Sequence, residues 1–192
     1  MKKITQYLIQ WQLHTMVRGS EAVGAKWSEI DFENKLWNIP AERMKNKFTH
    51  SVPLTAQALS LLNAIKPISG YREYIFPADS DPRNHTNGQK LNAAIKKMGY
   101  KGNSITHDLR SLASTILNKQ GFEHDVIRAT LAHVDSNEVR RSYNRTDFYH
   151  SRRKLMNWWS NHIDKSLVKS LFISCSSVVT HEYFSVVELE YD

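Results

Sequence analysis

The sequence predicts a mainly α-helical α+β fold with a small antiparallel sheet, and three observations predict it. Apolar residues recur at three- and four-residue spacing over most of the chain. Between Trp27 and Leu54 that spacing gives way to short apolar runs at Trp27, Ile30, Leu36-Trp37, Ile39, Val52 and Leu54, broken by Asp31-Phe32-Glu33-Asn34 and by Pro40 to Asn46. A length of 192 residues, 41% of them apolar, suffices for one sizeable core and not for two large ones.

The elements follow in chain order. Residues 4–13 (Ile4, Leu8, Trp11, Leu13) read as a helix, and a second starts near Ser20, an N-cap type of residue followed by Glu21, with Arg18 at or just before that start. The stretch from Trp27 to Leu54 reads as two or three short antiparallel strands. Lys45 falls in the polar connection before Val52, and Pro53 confines the last strand to an edge or a strand end. Residues 55–65 are helical, and Pro67 is expected to stop them. Residues 69–88, rich in Gly, Pro, Asp and Asn, read as a loop around a buried Tyr74-Ile75-Phe76. Helices are expected at 87–98 ending at Gly99, at 108–119 closing at Gly121, at 125–131 delivering His133, and at 147–163 carrying Leu155, Met156, Trp158, Trp159 and Ile163. From Lys165 the composition changes. Val178-Val179 and Tyr183 to Leu189 are β-prone and nearly free of basic residues. The expected organisation is a domain over residues 1–164 and a tail over 165–192 that docks as one or two strands on its own or a neighbouring subunit.

Charge narrows the partners. The formal net charge is +7, and the tail carries two lysines against four acids, which leaves +9 on residues 1–164. A polyanion is the partner this suits. Cys175 is the only cysteine, so no internal disulfide framework exists, which fits a reducing cytoplasm. No apolar run approaches the ~20 residues of a membrane span, so no membrane partner is expected. No cysteine pair, His-Glu-x-x-His or Gly-rich phosphate loop occurs, and neither a metal nor a cofactor is expected.

Several motifs then carry a resemblance. They are Arg18-Gly19-Ser20-Glu21, Trp27-Ser28-Glu29-Ile30-Asp31, Ile39 to Lys45 before Val52-Pro53-Leu54, His107-Asp108-Leu109-Arg110, Leu131-Ala132-His133, and Ser142-Tyr143-Asn144-Arg145. Together, over about residues 15–163, they resemble the catalytic domain of the tyrosine recombinases, above all the integrases of prophages and genomic islands. The resemblance implies a mostly helical catalytic domain with a small sheet, and DNA breakage and rejoining through a 3′-phosphotyrosyl intermediate. It implies double-stranded DNA as partner, a homo-tetramer of the full-length protein on that DNA, and a cytoplasmic, nucleoid-associated bacterial protein. Two departures stand out: Ala132 occupies a position usually held by Gly, and the DNA-binding domains that normally precede the catalytic one are not seen before residue 15.

The residues suit that chemistry on physical grounds. A phenol with a pKa near 10 is ionised in only about one molecule in a thousand at neutral pH, so Tyr143 needs a base, and His107 is the candidate. Arg18 and Arg110 form a clamp for the non-bridging oxygens, with His133 as a further donor, and such fixed cations replace a metal ion. His107 and Arg110 are three residues apart, which brings them to one face of a helix. Lys45, seven residues before Val52, is the candidate acid for the departing oxygen, with Lys47 its competitor and otherwise a DNA contact. Tyr143 has rivals in Tyr149, Tyr71, Tyr74 and Tyr100, but basic Arg140, Arg141 and Arg145 flank it, and Arg141 and Arg145 are candidate phosphate contacts. The alternatives are a non-catalytic DNA-binding fragment and a type IB topoisomerase-like enzyme.

Overall fold

Helix α1 (Lys3–Thr15) buries Leu8, Trp11 and Thr15 on one stripe, with Ile9, Gln12 and His14 beside them. The spacing is that of a helix with one apolar face. The computed structural model describes residues 2–97, 105–133 and 148–166. α1 ends at Met16, whose φ of 55° is left-handed and whose N–H returns to the Gln12 carbonyl. The short helix α2 (Gly19–Val23) follows. Its N-cap is Arg18, not Ser20: the Glu21 carboxylate at the third helical position reaches back to the Arg18 N–H at 2.8 Å, so an acid supplies the cap that a hydroxyl was expected to give.

The sheet is three-stranded and antiparallel in the order β1 (Ile30–Asp31), β2 (Leu36–Ile39), β3 (His50–Pro53). Trp37 pairs with Val52 and Ile39 with His50, so alternate residues of both strands point into the core. β3 is an edge, and Pro53 closes it where a missing N–H costs no ladder bond. Trp37 packs against Trp11 of α1, with ring centroids 5.1 Å apart, and Phe76 lies on the far side of Trp11 at 6.3 Å. All three are fully buried and form the centre of the core.

Helix α3 (Ala56–Ser69) corrects one expectation, because it runs through Pro67 for two more residues. A proline in a last turn removes a single N–H, and tertiary bonds hold that turn: the Ser69 hydroxyl donates to the Ile75 carbonyl at 2.7 Å and Trp27 Nε1 donates to the Ser69 carbonyl at 2.9 Å. The loop that follows buries Ile75 and Phe76 fully but leaves Tyr74 half-exposed. It is pinned by Ile75 N–H to the Ala25 carbonyl (2.9 Å) and Thr86 N–H to the Phe76 carbonyl (2.9 Å).

Helix α4 (Gly88–Lys97) lies where expected, and its expected end at Gly99 is outside the described residues. α5 (Ile105–Lys119) begins three residues earlier than expected and closes at Gly121, whose φ of 87° is the left-handed conformation glycine adopts without strain. α6 (His124–Thr130) is short. The last helix, α7, spans residues 149–166, so the expected boundary at 164 falls within its final turn. Trp159 of α7 is 5% exposed and donates Nε1 to the Leu13 carbonyl at 2.7 Å, while Ser160 joins His14 and Thr55 at 3.0 Å each. Trp159 therefore packs the core, with Trp158 half-buried against it. The expected strands of the tail, from 167 onward, lie outside the described residues.

Candidate active site

Arg110 on α5 is 8% exposed, and both arms of its guanidinium are held. Nη1 donates to the Met16 carbonyl at 2.5 Å and Nη2 to the Leu131 carbonyl at 2.6 Å. Each acceptor sits at a helix end where the chain turns left-handed: Met16 itself (φ 55°) ends α1, and Ala132 (φ 50°) follows Leu131 after α6. Helix C-termini carry unpaired carbonyls at the negative end of the helix dipole. The arginine charge is thus met directly by two carbonyl ends. Burial first, then Arg18, lower its pKa to about 10, with Glu21 opposing, so it stays charged at neutral pH.

Arg18 stands immediately before α2. Its Nη1 pairs with Glu21 Oε1 at 3.0 Å and its Nη2 reaches the Ala132 carbonyl at 3.5 Å. Glu21, 1% exposed, thus caps α2 with one oxygen and aims Arg18 with the other. His133 is placed by the turn that ends α6. Its N–H bonds the Arg128 carbonyl at 3.0 Å and the Ala132 N–H bonds the Ala129 carbonyl at 3.3 Å, the double bond pattern of a left-handed helix stop. Ala132 stands where that stop favours glycine. Burial, then Arg110, Arg18, Arg128 and His124, lower the His133 pKa, which keeps the imidazole neutral near pH 7.

Lys45 lies on the exposed loop between β2 and β3. Just before it, Arg43 forms an ion pair with Glu29 and donates Nη2 to the Glu21 carbonyl at 2.7 Å, tying this hairpin to the helix that carries Arg18. Gly24 makes room for that tie, because a Cβ there would come within 2.9 Å of Arg43 Nη2.

Arg18, Lys45, Arg110 and His133, from four separate segments, line one cleft of about 980 Å³. Lys47 is in the same exposed loop but does not line the cleft. The lining also includes Asn84, His85 and Asn87 from the loop before α4 and Asn92 from α4. No carboxylate is among the described lining residues. His107 lies on α5 three residues before Arg110, and its side chain is outside the described set. Tyr143, Arg141 and Arg145 also lie outside the described residues.

Two features escaped sequence reasoning. His50, at the start of β3, is 8% exposed, and burial, then the charges of Arg152, Arg110 and Arg18, lower its pKa to about 3. The alternation His50-x-Val52 was the signal that would have pointed it inward. The amide-rich part of the cleft had no such signal, since it is brought there by loop contacts distant in sequence. Among the described residues no group of His, Cys, Asp and Glu could hold a metal ion, and no helix is long and apolar enough to cross a membrane.

Residues 2–150 match the phage integrase family. The chain belongs to that family of tyrosine recombinases. This integrase chain is 50% identical over 177 residues to the prophage integrase IntA of Escherichia coli strain K12, an alignment covering 92% of this chain and 41% of IntA. It therefore spans about two-fifths of the length of that relative. Among solved structures it shares the fold of the integrase from mycobacterium phage Brujita, with a TM-score of 0.62 at 17% identity, covering 82% of this chain and 52% of that one. It also shares the fold of the XerH site-specific recombinase bound to its difH substrate in a pre-cleavage complex, with a TM-score of 0.55 at 15% identity, covering 76% of this chain and 47% of that one.

Proposed function

We propose that this chain carries the catalytic machinery of site-specific recombination, cleaving and rejoining double-stranded DNA through a 3′-phosphotyrosyl intermediate without metal or cofactor. The observation that carries this reading is the convergence of Arg18, Lys45, Arg110 and His133 on one cleft whose described lining has no carboxylate. Burial, and after it the neighbouring positive charges, lower the pKa of Arg110 and of His133, so the site holds cationic groups that an anion would relieve. A phosphodiester is such an anion, and the XerH complex with difH and the name of IntA favour DNA as its source.

In the proposed reaction the Tyr143 oxygen attacks phosphorus and its proton passes to His107. Arg18 and Arg110 meet the charge that grows on the non-bridging oxygens, and neutral His133 donates to the same oxygens. Lys45 Nζ then gives a proton to the departing 5′ oxygen. Rejoining reverses each transfer. Lys47, Arg141 and Arg145 are assigned to flanking phosphates. The full-length protein acts as a homo-tetramer on DNA, in the cytoplasm at the nucleoid. Residues 1–164 form its catalytic domain, and residues 165–192 dock on their own or a neighbouring subunit.

The test is a nicked suicide duplex, from which a cleaved strand cannot be rejoined. A covalent protein–DNA band on a denaturing gel is expected, unchanged by a chelator, and absent in Tyr143→Phe while DNA affinity stays nearly the same. A covalent band that survives Tyr143→Phe assigns the nucleophile elsewhere, and DNA binding with no band at all makes the chain a binding module.

A further inference from the structure

Lys45 is the second residue of a β-turn closed by the Lys47 N–H on the Met44 carbonyl at 3.1 Å, so its place follows from where residues 43 and 44 stand. Arg43 ends a 3₁₀ turn (Ala41–Arg43), with its N–H on the Pro40 carbonyl at 3.1 Å, and Met44 after it is 1% exposed. Met44 is an apolar plug. Arg43 is different in kind, because its tip is held by two directional partners: Nη1 pairs with the Glu29 carboxylate and Nη2 donates to the Glu21 carbonyl at 2.7 Å.

Both partners are themselves fixed. Glu29, 9% exposed, also accepts from Trp37 Nε1 at 2.9 Å and from the Lys26 N–H at 3.2 Å. Glu21 caps the helix that follows Arg18 and pairs with the Arg18 guanidinium at 3.0 Å. One side chain thus spans from the turn that carries Lys45 to the residue that aims Arg18, and Arg43 itself is not among the described residues lining the cleft. A buried ion pair adds little stability over apolar packing, and its better attested use is to fix a register. Here the register is between a proton donor and a phosphate clamp.

We propose that Arg43 is a positioning residue for leaving-group protonation: it sets the Lys45 turn against Arg18, so that Lys45 Nζ meets the departing oxygen of a phosphate already held in the cleft. This rests on the recombinase reading, in which Lys45 protonates the departing 5′ oxygen. Arg18 depends on Arg43 less, because Glu21 holds both its N–H and its side chain. Gly24 offers a way to disturb the tie while Arg43 stays in the chain. Its φ of −89° suits any residue, and a Cβ there comes within 2.9 Å of Arg43 Nη2, the far end of a flexible side chain. Gly24→Ala should therefore push the guanidinium off the Glu21 carbonyl and leave its charge beside Glu29.

The test compares wild type, Gly24→Ala, Arg43→Lys and Lys45→Ala on two suicide duplexes, one with oxygen and one with sulfur at the scissile 5′ bridging position. A thiolate leaves without a proton, so a misplaced Lys45 is invisible on the sulfur substrate. Gly24→Ala should slow covalent-complex formation about fivefold or more on oxygen and less than about twofold on sulfur, as expected for loss of general-acid help. Arg43→Lys keeps a cation for Glu29 but lacks the fork that reaches Glu21 as well, and should show the same split at about tenfold. Lys45→Ala should show it larger still. Equal slowing of either Gly24→Ala or Arg43→Lys on both substrates, or no slowing, overturns the proposal. Should one of the two not fold, the other decides by the same criteria. Wild type that forms no complex on either duplex overturns the recombinase reading itself, and the proposal with it.

Discussion

Arg110 and Lys45 line one cleft and are held in opposite ways. Arg110 is 8% exposed, with both arms bonded to helix-terminal carbonyls, whereas Lys45 stands on an exposed loop between the buried Met44 and His50. The difference follows from the tasks proposed for them. A group that stabilises charge on phosphate oxygens works best when its dipoles are already aimed and nothing reorganises during the reaction. A proton donor has only to meet the departing oxygen, and a loop tip can bring it there. If so, mutations on the two sides should separate stability from chemistry.

The largest effect is expected at Arg110. Arg110→Ala should lower covalent-complex formation by about three orders of magnitude or more and, by stranding two buried carbonyls, cost about 2–4 kcal/mol of stability. Arg110→Lys should be little better in the cleavage assay, since one ammonium cannot span both carbonyls and a phosphate. Single-turnover cleavage and a denaturant melt on the same preparations check both.

Lys45→Ala should cut cleavage by about 100-fold yet change stability by less than about 0.5 kcal/mol, because the side chain is exposed. A destabilisation comparable to that of Arg110→Ala would erase the contrast between the two sides.

Acid should weaken the fold through His50. Its folded pKa of about 3 lies below the ordinary 6.5, so the ring is neutral in the fold and takes up a proton on unfolding at any pH between those values. Stability from this group is complete above pH 6.5 and falls as pH drops toward 3, by about 1.4 kcal/mol per unit. His14 and His133, also lowered, act in the same direction near neutrality. Denaturant midpoints measured from pH 7 to 4 should show the slope, and His50→Gln should flatten it.

The smallest effect concerns the turn behind His133. Ala132 adopts a φ of 50°, so Ala132→Gly should raise stability by about 0.5–1 kcal/mol without slowing cleavage. An unchanged or lowered denaturant midpoint would mean that alanine bears no strain there.

Much of this was legible in residue spacing, because the signals were local. Gly121 ends α5 as a glycine with positive φ should, and Pro53 sits at the end of an edge strand. Arg18 and Glu21 belong to one four-residue motif, and their side chains pair. What failed depended on distant partners. Pro67 does not stop α3, because Trp27 and Ile75 hold the final turn from elsewhere in the chain. Asn84 and Asn87 line the cleft from a loop held by backbone bonds of Ala78, Asn84 and Thr86, which no periodicity encodes. The two acceptors of Arg110 are main-chain carbonyls, which have no residue type to recognise.

Those carbonyls have a further consequence, for ionic strength. Counterions screen exposed charges over a Debye length of about 8 Å in physiological conditions, but they reach a buried group far less. The Arg110 charge is compensated inside the fold by the ends of α1 and α6, where dissolved ions have little access. In the proposed DNA complex, ions compete instead for the duplex and for the exposed lysines of the 45–49 loop. Raising the salt concentration should therefore govern how often DNA is captured, while the cleavage step of DNA already seated in the cleft proceeds at nearly the same rate.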